Sequence, residues 1–374
     1  MSSGYYVYVG TYTHPILFGT GQILEGKGEG IYLFRMDPET GRLTRQETTT
    51  GVVNPSYLTL DPARRHLYAV NELKTFGGMA SGAVSAFRVE PETGRLTFLN
   101  QKSTGGTDPC HVVVNDRSTQ VFVSNFMSGS VCVFPIQPDG TLGDASQFIQ
   151  HSGSSVHPKR QRGPHAHSLI FDKHNRFAFV PDLGMDKLMV YKTDFDKGRL
   201  SPAKVPFVSV QPGAGPRHCV FHPSGRYCYL IQELDSTLSA YRYNPNDGTF
   251  ELLQTVPTVV SDGFTGDNTC ADVQILPKGR FVYGSNRGHD SIVIYRIDQE
   301  TGRLSFVGME STRGRTPRNF AIDPTGRFLL AANQDSDNII VFRIDPETGM
   351  LSAVDQTAVP TPVCVRVYEG LGAT

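Results

Sequence analysis

The 374-residue sequence predicts an all-β protein, a seven-bladed β-propeller with four antiparallel strands per blade. Three observations predict it. A turn segment recurs seven times, alternating β-branched stretches flank its copies, and the last strand of the chain lacks a partner unless the N-terminus supplies one.

The turn segment is Asp37-Pro-Glu-Thr-Gly-Arg-Leu43, and related copies end at Leu96, Leu142, Leu200, Phe250, Leu304 and Leu351. Pro, Asp and Gly supply tight-turn geometry, so each copy reads as a hairpin. A period near fifty residues is long for a helical solenoid and suits a propeller blade. The stretches before the turns, such as residues 82–89 and 291–297, alternate and are rich in β-branched residues, as strands are.

Upstream lies a second recurrent unit of strand, Asp-Pro turn and strand. It reads Pro55-Ser-Tyr-Leu-Thr-Leu-Asp-Pro62 followed by His66-Leu-Tyr-Ala-Val-Asn-Glu72, and it returns at Pro216 and Pro317. The seventh copy, Pro362-Val-Cys-Val-Arg-Val-Tyr368, has no second strand after it. Tyr5-Tyr-Val-Tyr-Val-Gly10 matches that strand, Gly30–Met36 a third and Leu43–Glu47 a fourth, so the C-terminal strand pairs with N-terminal strands and closes the ring. Closure removes exposed sheet edges. Residues 1–374 are therefore expected to form one propeller domain. A pair of β-sandwiches would not generate seven copies.

Composition narrows the function. With 39% hydrophobic and 19% charged residues the chain reads as soluble and globular, and no apolar run is long enough to span a bilayer. Lys and Arg total 35 against 36 Asp and Glu, which gives no overall field to attract nucleic acid. No basic-then-apolar leader opens the chain, so a cytoplasmic location is expected. The six cysteines lack metal-ligand spacing and read as reduced core residues.

The repeat also acts as a coordinate system. Taking Asp61, Asn115, Asp172, His222, Leu276, Asp323 and Tyr368 as equivalent, the position five residues earlier reads Ser56, Cys110, His167, Arg217, Ala271, Arg318, Val363. Four residues earlier it reads Tyr57, His111, Ser168, His218, Asp272, Asn319, Cys364, and eleven residues later Glu72, Phe126, Leu183, Glu233, Arg287, Gln334. First strands of propeller blades line the central channel, and these positions share one end of it. So many ionisable groups in register point to an anion-binding, acid/base-equipped pocket rather than an idle water-filled mouth. The loop His157-Pro-Lys-Arg-Gln-Arg-Gly-Pro-His-Ala-His-Ser168 adds Lys159, Arg160 and Arg162, read as a cationic lip, together with His165.

At Gly163-Pro-His-Ala-His-Ser168, Gly215-Pro-Arg-His-Cys-Val-Phe-His-Pro223, Gln232-Glu-Leu-Asp-Ser-Thr237, Ala271-Asp-Val-Gln274, Ser285-Asn-Arg-Gly-His-Asp-Ser291 and Pro317-Arg-Asn-Phe-Ala-Ile-Asp-Pro-Thr-Gly326 the chain resembles the seven-bladed lactonase family. That family includes propeller-type 6-phosphogluconolactonases and carboxymuconate-lactonizing enzymes. Resemblance to the lactonizing branch implies an active site of one His, two Arg and one Glu, which fall on His167, Arg217, Arg287 and Glu233. Where many relatives read Ala-Asp-Ile-His, this chain has Gln274, so a polar contact beside Asp272 differs.

The expected activity is hydrolysis of a small anionic sugar lactone, 6-phosphogluconolactone foremost, without cofactor or metal. His167 is the expected base, because an imidazole titrates near neutrality, with Glu233 orienting it or sharing the role. Arg217 and Arg287 would hold the lactone carbonyl or a carboxylate. Arg318, His218, Lys159, Arg160 and Arg162 would reach the phosphate, and His165, Asp272 and Glu72 complete the substrate-binding set. Three alternatives compete: a carboxymuconate cycloisomerase running on the same four residues, a non-catalytic interaction propeller, and a metal-dependent gluconolactonase through Glu72, Glu233 and Asp272. The absence of Trp argues against a WD-type interaction propeller, and interleaved arginines argue against a divalent ion. The expected assembly is a monomer or small homo-oligomer.

Overall fold

A computed structural model describes residues 4–260 and 263–370. They form seven four-stranded antiparallel sheets and one two-stranded hairpin. The sheet that closes the ring takes Pro362–Glu369, Tyr5–Thr11, Gly30–Met36 and Leu43–Thr50 in that spatial order. Its seam pairs Tyr5 with Glu369 and Val9 with Val365. Numbering from Leu58–Leu60, the other blades are sequential four-strand meanders, and this seventh blade is assembled from both ends of the chain.

The seal is apolar and lies between blades. One buried cluster packs Val7, Phe34 and Val365 of blade seven against Phe328, Leu330 and Val341 of blade six. Another packs Tyr8, Ile31 and Leu33 of blade seven against Leu67, Ala69 and Phe87 of blade one. Five further clusters join each remaining pair of neighbouring blades, so apolar burial runs unbroken around the ring.

The recurrent turns fasten these sheets. Asp37 Oδ1 accepts hydrogen bonds from the Glu39 and Thr40 amides at 2.9 and 2.8 Å, and Gly41 takes a φ of 79° that only glycine adopts without strain. Tyrosines from a preceding blade then latch the turns. The Tyr8 hydroxyl donates to Gly94 O at 2.6 Å, and Tyr68, Tyr229 and Tyr283 make the same contact to Gly140, Gly302 and Gly349.

One departure from regular pairing positions the site. Strand alternation would send adjacent residues to opposite faces. Yet the register slips between Pro109 and His111, between Pro216 and His218, and between Pro317 and Asn319, which leaves Cys110, Arg217 and Arg318 at β-bulges. Blade five slips between Cys270 and Val273. A bulge re-aims side chains, and here it lets two consecutive residues of a first strand serve the channel.

Candidate active site

At one end of the channel a cavity of about 280 Å³ is lined by Glu72, Arg160, His167, Glu233, Arg287 and Arg318, with Asp108, Phe126, Thr316 and Asp335 beside them. Its roof is the hairpin of Ile16–Leu17 and Ile23–Leu24, whose tip contributes Phe18, Gly19, Thr20 and Gln22. The hairpin is anchored where the Lys27 and Gly28 amides donate to Thr361 Oγ1, and its base packs through Ile16 on Tyr12 and Val363.

Glu233 organises the cationic wall. Its Oε1 accepts from Arg160 at 2.6 Å, and its Oε2 accepts from Arg217 Nε at 2.9 Å and lies 3.0 Å from Arg287 Nη2. Burial alone would raise this carboxyl, but Arg287, Arg160 and Arg217 outweigh it and hold the group far below the usual carboxylate range. Glu233 is thus a fixed anion that sets three guanidiniums in place. Arg217 also donates to Ala271 O, and Arg287 to Cys270 O at 2.7 Å, while Arg287 Nε is buried without a partner.

Arg318 differs. Its guanidinium carbon sits 5.7 Å from the Tyr12 ring centroid and 5.1 Å from that of Phe18, an aromatic bracket on the cavity wall. Among the described residues it has no hydrogen bond or ion pair to the protein. Glu72 faces it with a carboxyl raised by burial, its Oε2 receiving the Tyr12 hydroxyl at 3.0 Å.

His167 is 5% exposed and lines the cavity. The Cys110 thiol lies 3.2 Å from the His167 carbonyl and 3.8 Å from its Nδ1, and among the described residues Nε2 has no hydrogen-bond partner. Burial first, and then the nearby Arg217, hold this imidazole well below its usual value. Titration near neutrality, expected from the residue type, gives way to a ring that is neutral throughout the physiological range. Glu233 does not orient it, because both carboxylate oxygens are engaged by arginines.

Other residues singled out in the sequence lie elsewhere. His218 and Asp272 are bonded to each other at 2.9 Å beneath the cavity rather than lining it. His165 stacks on Phe126 at 4.7 Å. Of the basic loop only Arg160 turns inward. Lys159 and Arg162 are exposed, and Arg162 Nε donates to Pro158 O. Gln274 Nε2 stands 3.4 Å from Asp272 Oδ2, the contact in which this chain departs from many relatives. Glu72, Glu233 and Asp272 do not meet, and among the described residues no group of three His, Cys, Asp or Glu is spaced to hold a metal ion. The hairpin tip and Asp108 escaped the sequence reading. The signal for the hairpin is the long insert of residues 12–29 between two strands of blade seven, where the corresponding connection in blade two is residues 126–129; Asp108, just before the strand Pro109–Val114, had none.

Fold and site together define a channel-mouth propeller with a guanidinium-rich pocket and a neutral imidazole. Residues 6–367 match the family described as lactonase, 7-bladed beta-propeller, and the chain belongs to that family. It is 38% identical over 319 residues to the 6-phosphogluconolactonase of Bacillus subtilis, covering 85% of each chain. It is 36% identical to the 6-phosphogluconolactonase of Formosa agariphila, over 79% of this chain and 83% of that one. The solved structure of the periplasmic gluconolactonase of Pseudomonas aeruginosa superposes with a TM-score of 0.89 at 34% identity, covering 98% of this chain and 99% of that chain.

Proposed function

We propose that the protein is a lactonase that opens a sugar lactone, 6-phosphogluconolactone foremost, to its hydroxy acid at the channel mouth. The observation that carries this reading is the division of labour among the arginines: three converge on the single Glu233 carboxylate and leave that wall net cationic, whereas Arg318 makes no hydrogen bond or ion pair among the described residues and keeps its whole guanidinium for a substrate anion.

In this reading a water attacks the lactone carbonyl carbon while His167 Nε2 accepts its proton. Arg287, with its unspent Nε–H, and Arg217 behind it stabilise the tetrahedral oxyanion. The bond from that carbon to the ring oxygen then breaks, the electron pair stays on the oxygen, and His167 returns the proton to it. Arg318 takes the phosphate, where charge-assisted donors are strongest. The lactonizing alternative needs arginine pairs for two carboxylates, and a single free guanidinium favours it less. The relatives named for 6-phosphogluconolactone support the phosphorylated substrate, and the Pseudomonas relative keeps plain gluconolactone in the comparison. The six cysteines, all buried and unpaired, suit a reducing cytoplasm.

His167→Ala and Arg217→Ala proteins that keep the parent's circular dichroism should lose on the order of 10²-fold in kcat on 6-phosphogluconolactone. Parent-like rates in both would refute the assignment.

A further inference from the structure

Beneath the main cavity lies a second chamber of about 20 Å³. Glu72, Cys110, His167 and Arg318 line both spaces, so the chamber is the floor of the cavity. Ser56, Tyr57, Arg217, His218, Asn319 and Val363 complete its wall. A polar space needs roughly 10–15 Å³ to accept a water, so this one fits a single molecule.

His218 is 6% exposed, and its Nε2 has no hydrogen-bond partner in the protein. Ser56 Oγ is buried beside the Glu72 carboxyl, whose charged form it favours, and has no other polar partner among the described residues. An orphaned ring nitrogen beside a hydroxyl in one water-sized chamber calls for an occupant that can donate to the first and bond the second.

The other side of His218 is tightly held. Its Nδ1 lies 2.9 Å from Asp272 Oδ1, which also accepts from the Val273 amide at 2.9 Å. Asp272 Oδ2 accepts from Asn319 Nδ2 at 2.6 Å. Although burial opposes it, these donors and nearby cations keep Asp272 an anion, so it fixes a proton on Nδ1 and leaves the Nε2 lone pair toward the chamber. The His218 and His167 rings meet edge to face with centroids 5.1 Å apart.

We propose that the chamber holds one water that carries a proton from His167 to the His218–Asp272 pair, a relay that rests on the hydrolytic reading above. Opening a lactone and ionising the new acid releases one proton into a pocket crowded with guanidiniums. The carboxylic O–H bond breaks and its proton passes to His167 Nε2. From there it crosses the chamber water to His218 Nε2, where the resulting imidazolium faces the Asp272 carboxylate, and it reaches solvent after the product leaves. Burial lowers both imidazoles, His167 the further, and His218 is the better store because contact with the Asp272 carboxylate offsets part of that lowering. Its remaining neighbours are Arg217, Arg366, His111 and Tyr57, and among the described residues His167 has no carboxylate contact.

Two variants test this. Asp272→Asn removes the charge from the pair, and Ser56→Val fills the chamber without touching either histidine. Each should lower kcat about tenfold with KM within twofold and raise the solvent deuterium isotope effect on kcat. A high-resolution crystal structure should place a water within hydrogen-bond distance of His218 Nε2 in the parent and none there in Ser56→Val. An empty chamber in the parent, or a folded Ser56→Val protein with parental kcat and isotope effect, overturns the relay. A parent inactive on every lactone would sink the hydrolytic reading and the relay together, whereas an active parent with unchanged variants sinks the relay alone.

Discussion

Glu233→Gln is the substitution from which the most follows. The side chain keeps its length, so packing changes little, but three guanidiniums within 2.6–3.0 Å lose their shared anion. The amide also turns an N–H donor toward arginine donors. A unit charge pair about 4 Å apart in a partly buried setting is worth about 4 kcal/mol before desolvation. Breaking one side of a buried pair costs roughly 3–5 kcal/mol overall, because the remaining charges stay buried. Urea denaturation at pH 7 should therefore lower the unfolding free energy by about that amount with an unchanged slope. The effect has a definite pH signature. The Glu233 carboxyl lies lower in the folded protein than in the unfolded chain. Its contribution is complete above about pH 5 and is lost progressively as pH falls below roughly 4.3, so the gap between parent and variant should shrink in acid. Arg217 and Arg287 lose their anchor at the same time, and a displacement of about 1 Å costs about 10²-fold in kcat. A variant with the parental urea midpoint, or a gap that persists unchanged to pH 3, would refute the role of Glu233 as the anchor.

Two further outcomes follow from the same geometry. Arg318→Met should raise KM for 6-phosphogluconolactone by roughly 10- to 100-fold, the value of a charge-assisted bond, and leave plain gluconolactone within a few-fold, while Phe18→Ala should give a smaller rise; steady-state kinetics on both lactones would read it. Because His167 is held neutral well below its usual value, kcat/KM should be flat from pH 6.5 to 8 and fall only in more acidic buffer. A midpoint near 6.5 would contradict that environment.

The ring was legible in the sequence because its turns repeat: Asp37, Asp298 and Asp345 each cap the same hairpin through two backbone amides. Counting from the second recurrent turn, at Asp61, Asp172, His222, Asp323 and their equivalents, also placed His167, Arg318, Glu233, Arg287 and Glu72 at one channel end, where the main cavity lies. The depth of each side chain was not legible. His218 and Asp272 occupy the right register but sit below the cavity, since a β-bulge decides how far each residue of a first strand is turned inward. Arg160 and Arg162 are two residues apart on one loop, yet only the first finds a buried carboxylate, a contact set by the path of the loop rather than by its composition. The hairpin over the mouth carries no repeat motif, so periodicity was blind to Phe18 and Gln22.

The most direct measurement is a pH-stat comparison of 6-phosphogluconolactone, glucono-δ-lactone and carboxymuconate with the purified parent protein. Lactone opening above the spontaneous rate is expected, with a kcat/KM about tenfold or more in favour of the phosphorylated lactone and no cyclisation of carboxymuconate. Cyclisation without lactone hydrolysis, or no turnover of any lactone, would contradict the hydrolytic reading.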